Sequence, residues 1–153
     1  MHSRIIQLCE KPRCRDNSVS DITLAEDHTI SRYRDYVGDK YKKSERKDAY
    51  KEIREFFDGI ATFDEKKEKL TFLCQTKIRE ELDRRLKEYV KDIQNKFNLG
   101  KLFHSDLQKA GTQAYDGAMF YIHYGLTRGD MLDECCSYAG QTLYVGDIYD
   151  SHF

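Results

Sequence analysis

The feature that most constrains this chain is a long amphipathic stripe in its middle. Apolar side chains recur there every three or four residues on a background of charged ones: Ile78, Leu82, Leu86, Tyr89, Val90, Ile93 and Phe97. That spacing is typical of one face of an α-helix, and Asn98 and Gly100 supply a stop. We therefore predict one helix of about six turns, with its apolar side lying over a β-sheet.

Shorter patterns on either side of this helix predict the rest of the fold. Residues 4–9, 118–124 and 143–149 are rich in β-branched and aromatic side chains and are expected to be strands. Helices are expected at residues 44–59 and 127–136, with a short helical segment at 101–109. Residues 60–63 and 69–73 fit a hairpin, although a single helix starting at Asp64 fits them as well.

Together these elements predict an α+β protein. We expect a single domain, residues 1–153, in which a mostly antiparallel sheet of about four to five short strands packs against one long and two to three shorter helices. A chain of 153 residues with 39% hydrophobic residues is long enough for one core. The strand order cannot be read from the pattern.

Composition narrows the cellular setting. No apolar run approaches the length of a membrane-spanning helix, and the five cysteines form an odd set with no disulfide framework, so a reducing, cytoplasmic setting is expected. The formal net charge is only −1, but residues 105–153 hold two Lys or Arg against seven Asp or Glu. The C-terminal third is therefore acidic.

Catalytic and metal chemistry have only scattered candidates. A zinc site would have to draw on six residues that lack the usual paired spacing: Cys9, Cys14, Cys135, Cys136, His104 and His123. Either Cys135 or Cys136 could be a nucleophile only if a histidine lay beside it, and nothing in the sequence places one there. No glycine-rich phosphate loop is present. We expect no enzyme, no cofactor and no bound metal, with a zinc-binding protein as an alternative.

A second alternative is nucleic-acid binding. Basic and aromatic residues alternate at 32–36 and at 40–43, as they do on surfaces that stack bases. Acidic residues such as Asp35 and Asp39 interrupt this charge, so direct nucleic-acid binding is the weaker hypothesis.

Protein binding is the favoured hypothesis. Eleven Tyr and eight Phe exceed what the stripes use, and Tyr is enriched in interfaces. Together with the acidic C-terminal third, this predicts a partner-binding surface that includes Asp130, Asp133, Glu134, Tyr144, Asp147 and Tyr149.

Segments 3–7, 35–37, 144–147 and 150–153 resemble small proteins carried by phages and mobile elements of Gram-positive bacteria. Inhibitors of host defence, including anti-CRISPR proteins, have been drawn from that pool. The resemblance implies a non-enzymatic inhibitor that occupies a surface of a host defence nuclease, a protein target that handles nucleic acid. Its partner's identity and its own oligomeric state cannot be read from the sequence.

Overall fold

A computed structural model describes residues 2–12, 18–34, 36–105 and 117–152. Within them lie five α-helices and two short 3-10 helices, Lys43–Glu45 and Cys135–Tyr138. The α-helices are α1 Asp21–Glu26, α2 His28–Tyr33, α3 Lys47–Phe56, α4 Gln75–Asn98 and α5 Arg128–Glu134. The strands are β1 His2–Cys9, β2 Tyr36–Lys40, β3 Ala61–Asp64, β4 Lys69–Phe72, β5 Met119–Tyr121, β6 Gly125–Leu126 and β7 Thr142–His152. The α+β class and the single long helix are confirmed.

The described strands form one mixed sheet of seven, so the sheet is larger than predicted. Its order is β3-β4-β7-β1-β5-β6, and β2 also pairs with β7. The pairing of β1 with β5 is parallel, with Ile5 opposite Met119, while β1, β2 and β4 each pair with β7 in antiparallel orientation. A parallel pair joins segments far apart in the chain, so no local turn signal announces it.

The segment between β3 and β4 is a hairpin turn, which decides between the two sequence interpretations. Ala61 lies opposite Phe72 in the β3–β4 ladder. One carboxylate oxygen of Asp64 accepts hydrogen bonds from the backbone N–H groups of Lys66 (3.1 Å) and Lys67 (3.2 Å), an Asx-type turn. The hairpin is confirmed, and the alternative of one helix starting at Asp64 is wrong.

The number of elements was underestimated in two regions. Helices α1 and α2 and strand β2 lie in residues 10–43, where the sequence has little periodicity. The strand expected at 118–124 ends at Tyr121, and Gly125 begins β6 instead of simply ending that strand. Part of the helical segment expected at 101–109, residues 106–109, lies outside the described residues.

Apolar side chains pack against both faces of the sheet. Ile5 packs with Leu24 of α1 and Ile30 of α2, whereas its neighbour Ile6 packs with side chains of α3 and α4. Successive residues of a strand point to opposite faces, so α1 and α2 lie on one face of the sheet and α3 and α4 on the other. The larger cluster lies on the α3–α4 side.

A buried ion pair closes the gap that β4 and β2 leave along one edge of β7. Arg46 is 1% exposed and donates hydrogen bonds to the carbonyl oxygen of Gly146 and to the carboxylate of Glu68, 2.7 Å away. The hydroxyl of Tyr50 donates to the same carboxylate, and burial, reinforced by this hydrogen bond, raises the pKa of Tyr50 to about 12. These side chains satisfy backbone groups that would otherwise be an open strand edge.

Candidate interaction surface

The first part of α4, residues 75–85, is anchored on the body of the protein. Ile78 is fully buried, and Leu82 packs against the core. Arg85 donates hydrogen bonds to the carbonyl oxygens of Phe56 (3.0 Å) and Asp58 (2.5 Å), which are free acceptors at the C-terminal end of α3. A cation at the C-terminus of a helix is favourable because it meets the negative end of the helix dipole. Residues 75–85 are hereafter the inner half.

Glu81 fixes the orientation of the Arg85 side chain. Its carboxylate accepts from Arg85 Nε (2.8 Å) and from two nitrogens of Arg84 (both 2.7 Å). Hydrogen bonds from Arg84 and then from Arg85 lower the pKa of Glu81 to about 2, against the opposing effect of burial. Gly59 lies directly under this carboxylate, where an added Cβ would be 2.8 Å from the Glu81 carboxyl carbon. The turn after α3 is therefore built to receive the inner half.

The second part of α4, residues 86–98, carries the same apolar stripe into solvent. The exposed fractions are 61% for Leu86, 55% for Val90 and 65% for Phe97, with Tyr89 at 36%. The helix ends at Asn98, and Leu99 and Phe103 beyond it are also exposed. We call residues 86–98 the outer half, and Leu86, Tyr89, Val90, Ile93 and Phe97 the outer stripe.

This arrangement corrects the prediction that the whole stripe covers the sheet. Only Ile78 of α4 is buried. At 1.5 Å per residue, a 24-residue helix is about 36 Å long, longer than a small domain is wide. The sequence therefore held a signal that the stripe would outrun the body. The pattern of spacing alone did not show where contact with the body would stop.

Ion pairs on α4 leave its apolar stripe uncovered. Arg84 bonds to Glu88 at 2.6 Å, and Lys96 lies 3.1 Å from Asp92. These pairs join residues four apart on the exposed side of the helix, and each contributes only a few tenths of a kcal/mol to helix stability, about 0.3–0.5. They support the helix without hiding the stripe.

The predicted surface of six residues is divided between different places. Asp130 forms a capping box with Thr127, whose hydroxyl donates to its carboxylate at 2.7 Å. The neighbouring acidic groups lie on the same helix, where Asp133 is exposed and Glu134 accepts from the hydroxyl of Tyr124 at 2.7 Å. Thr127 as the helix cap is confirmed. These carboxylates belong to α5, whereas the other three residues belong to β7.

Asp147 and Tyr149 are buried, at 2% and 3% exposure, because β7 has a bulge. Between the pairs Ile6–Ile148 and Leu8–Val145, the two residues Gly146 and Asp147 lie opposite Gln7 alone. The bulge puts both Val145 and Ile148 on the α3–α4 face. Buried side chains offer a partner no area, so these two do not contribute to an exposed surface, and Tyr144 is half-buried.

At the bulge, Gln7 and Gly146 meet closely. The side-chain oxygen of Gln7 accepts from the backbone N–H of Asp147 at 3.0 Å. A Cβ added to Gly146 would lie 2.6 Å from that oxygen and 2.8 Å from the sulfur of Cys9. Glycine is therefore required at position 146 for reasons of space.

The Asp147 carboxylate holds a polar cluster on the α1–α2 side of the sheet. It accepts from Lys40 Nζ (2.8 Å) and from the hydroxyl of Ser18 (2.5 Å), and Lys40 also donates to Ser18 (2.9 Å). The hydroxyl of Tyr149 donates to the backbone carbonyl of Val19. The hydrogen bond to Asp147 raises the pKa of Lys40, against a smaller lowering by burial. A lysine held charged cannot accept the proton of Ser18, so the cluster fastens residues 18–19 to the sheet.

Four carboxylates, from β2, the segment before α3 and β7, line an open cleft of about 610 Å³: Asp39, Glu45, Asp48 and Asp150. Arg4 and Lys40 also line it, and Arg4 is paired with Glu52 at 3.1 Å. An enzymatic alternative would have to use these carboxylates.

The thiol and imidazole candidates do not converge among the described residues. Burial raises the pKa of Cys135 to about 12, which keeps it a thiol at neutral pH. His104 is exposed, and His123 lies 3.6 Å from Glu10. Within the described ranges, no group of three or more His, Cys, Asp or Glu side chains could hold a metal ion, and Cys14 lies outside those ranges.

The basic and aromatic segment predicted for nucleic acid is likewise split. Arg34 is 5% exposed and donates to the carbonyl oxygens of Tyr33 (2.9 Å) and Gly117 (2.6 Å). Lys40 is held by Asp147, as described above. Asp35 lies outside the described residues. The described side chains therefore do not form one continuous basic face.

Across the part of the chain that the structure describes, no helix combines the length and apolarity needed to cross a bilayer. Comparisons with protein-family models, with curated proteins and with solved structures find no match for this chain.

Proposed function

We propose that this protein is a protein-binding module whose contact surface is the outer half of α4. One observation carries the proposal: the outer stripe continues the apolar face of a core helix but is exposed at Leu86, Val90 and Phe97. Contiguous exposed apolar patches mark interaction sites, because water around them is released when a partner covers them.

The geometry fits a known mode of recognition. An amphipathic helix binds by laying apolar side chains at helical spacing into a groove or against another helix. Tyr89 and Phe97 provide large rings, which supply much of the binding energy in interfaces. The anchored inner half holds the outer half as a helix before any partner arrives, which reduces the entropy cost of binding.

The resemblance to phage and mobile-element proteins supplies a narrower form of the proposal. In that form the partner is a host defence nuclease complex, and the protein inhibits it by occupying a surface of it. The exposed carboxylate of Asp133 would add an acidic region suited to a basic target.

A pair of matched variants tests the proposal. Leu86→Gln with Val90→Gln removes apolar surface from the outer stripe, and Glu88→Gln with Lys91→Gln makes the same number of changes on the other side of the helix. Neither double variant alters the net charge. Tagged full chains would be exposed to a Gram-positive host lysate, and captured proteins would be quantified by mass spectrometry.

We expect the wild type and the Glu88/Lys91 control to capture the same partner, and the Leu86/Val90 variant to lose at least about 90% of it, which corresponds to a tenfold loss of affinity. Equal capture by all three chains, or capture by none, would contradict the proposal. Inhibition of the captured complex, measured as nuclease activity with and without the protein, tests the narrower form.

A further inference from the structure

The outer stripe has the spacing of a helix–helix contact. Successive apolar positions along α4 are separated by four, four, three, four and four residues: Ile78, Leu82, Leu86, Tyr89, Ile93 and Phe97. Such a row runs along the helix as a continuous seam, and a second helix packs on a seam of this kind by placing its own side chains between them.

The charges beside the seam identify the second helix. On a helix with 100° between residues, four charged positions fall on one side of the seam. In chain order their signs alternate: Glu81, Arg85, Asp92 and Lys96. Reading this row backwards against itself places Glu81 opposite Lys96 and Arg85 opposite Asp92, so every position meets the opposite charge.

The row is therefore complementary to a second copy of itself in antiparallel orientation. A parallel copy would place each charge opposite its own like, which is unfavourable. Between residues 81 and 98 the chain has five basic and four acidic residues, so two copies carry little net charge against each other. The Glu81 and Arg85 side chains, although bonded within the chain, keep exposed fractions of 14% and 27%.

We propose that the outer half of α4 binds a second copy of this chain, antiparallel, with the two-fold axis beside Tyr89. This inference rests on the proposed function, because it names the partner of the same surface. An antiparallel pair of this kind is isologous and closed, so association stops at the dimer. Leu86 of each copy then lies against Tyr89 and Ile93 of the other, and the exposed ring of Phe97 lies beside Leu82.

The size of the contact sets the expected affinity. Five side chains per copy make an interface near the lower end of the specific class, about 1,000 Å² in total. We therefore expect a dissociation constant on the order of micromolar. The dimer should form and dissociate over the range of concentrations that sedimentation can sample.

The test uses analytical ultracentrifugation of the full chain from about 1 to about 200 µM, a range that brackets this affinity. Four chains are compared: wild type, Leu86→Gln with Val90→Gln, the Glu88→Gln with Lys91→Gln control, and an exchange variant. The exchange variant is Asp92→Lys with Lys96→Glu. It keeps the net charge and an ion pair between positions 92 and 96, but in the dimer it puts a positive charge opposite Arg85 and a negative charge opposite Glu81.

We expect a monomer–dimer equilibrium in the wild type and the control, and at least a tenfold weaker dimer in the other two. A wild type that stays monomeric throughout would overturn the inference, as would an exchange variant that dimerises as well as the wild type. Circular dichroism of each variant checks that α4 still forms. A monomeric wild type that still captures another protein through the outer stripe would leave the proposed function standing, so the two failures are distinguishable.

Discussion

The inner and outer halves of α4 have the same sequence pattern and different environments. In the inner half Ile78 is fully buried, and Arg85 is bonded to the end of α3. In the outer half Leu86 and Phe97 are more than half exposed. The apolar period makes both halves helical, but only the reach of the neighbouring elements decides which half is core. An amphipathic pattern therefore predicts an apolar face and not what covers it.

The largest expected effect is the difference between truncating each half. Ile78→Ala should lower the free energy of unfolding by about 2–5 kcal/mol, because it leaves a cavity in the core. Leu86→Ala should change it by less than about 0.5 kcal/mol, because the side chain is 61% exposed. Urea denaturation at low protein concentration measures both. Equal losses would show that the two halves are packed alike.

The second effect concerns cysteine reactivity around the inner half. Cys135 belongs to the same core cluster as Ile78, and burial raises its pKa to about 12, whereas Cys74 at the start of α4 is exposed. Because the thiolate is the reacting form, iodoacetamide at pH 8 should label Cys74 at least about 100-fold faster than Cys135. Peptide mass spectrometry follows each site. Comparable rates would mean that the inner half does not seal this part of the core.

The third effect tests the anchor itself. Arg85→Met should cost about 1–2 kcal/mol of unfolding free energy, because the carbonyl oxygens of Phe56 and Asp58 lose a charged donor. Arg84→Met is the matched control on the same helix. Its side chain is 53% exposed, so the expected loss is below about 1 kcal/mol. If the control lost as much as Arg85→Met, the anchor would not distinguish the two halves.

The smallest effect is a dependence on pH at Glu81. Its pKa is lowered from 4.5 to about 2 by Arg84 and Arg85. A carboxyl group with a lowered pKa stabilises the folded state fully above its unfolded value, and this contribution is lost as pH falls through the folded value. The stability difference between wild type and Glu81→Gln should thus be constant above about pH 5 and shrink from pH 4.5 to about pH 2.

We expect that difference to stay below about 1 kcal/mol, because the arginine partners are partly exposed to solvent. Thermal unfolding of both proteins at half-unit steps of pH measures it. A difference that does not change down to about pH 2 would mean that the carboxylate gains nothing from its arginine neighbours.

Local signals predicted the elements that depend on local geometry. The Thr127–Asp130 capping box, the Asp64 turn and the helical period of α4 all involve residues within a few positions of one another. Strands β2 and β6 were missed, since both are short and their pairing partners are distant in the chain or set by tertiary contacts. The parallel contact of β1 with β5 was missed because it joins segments far apart in the sequence.

The candidate site shows the same division. Acidic residues of the C-terminal third were identified by type, but the bulge at Gly146 turns Asp147 into a buried partner of Lys40. One inserted residue in a strand changes which face every later side chain occupies, and no pattern in β7 announces it. The outer stripe was visible as a pattern and was assigned to the core.

The sequence by itself determined that residues 75–98 form a helix with one apolar face, because helix formation follows from spacing and hydrogen bonds between residues a few positions apart. Only the tertiary structure decided that this face is core at Ile78 and exposed at Phe97. Burial depends on where other elements end in space, and that is set by contacts among residues distant along the chain.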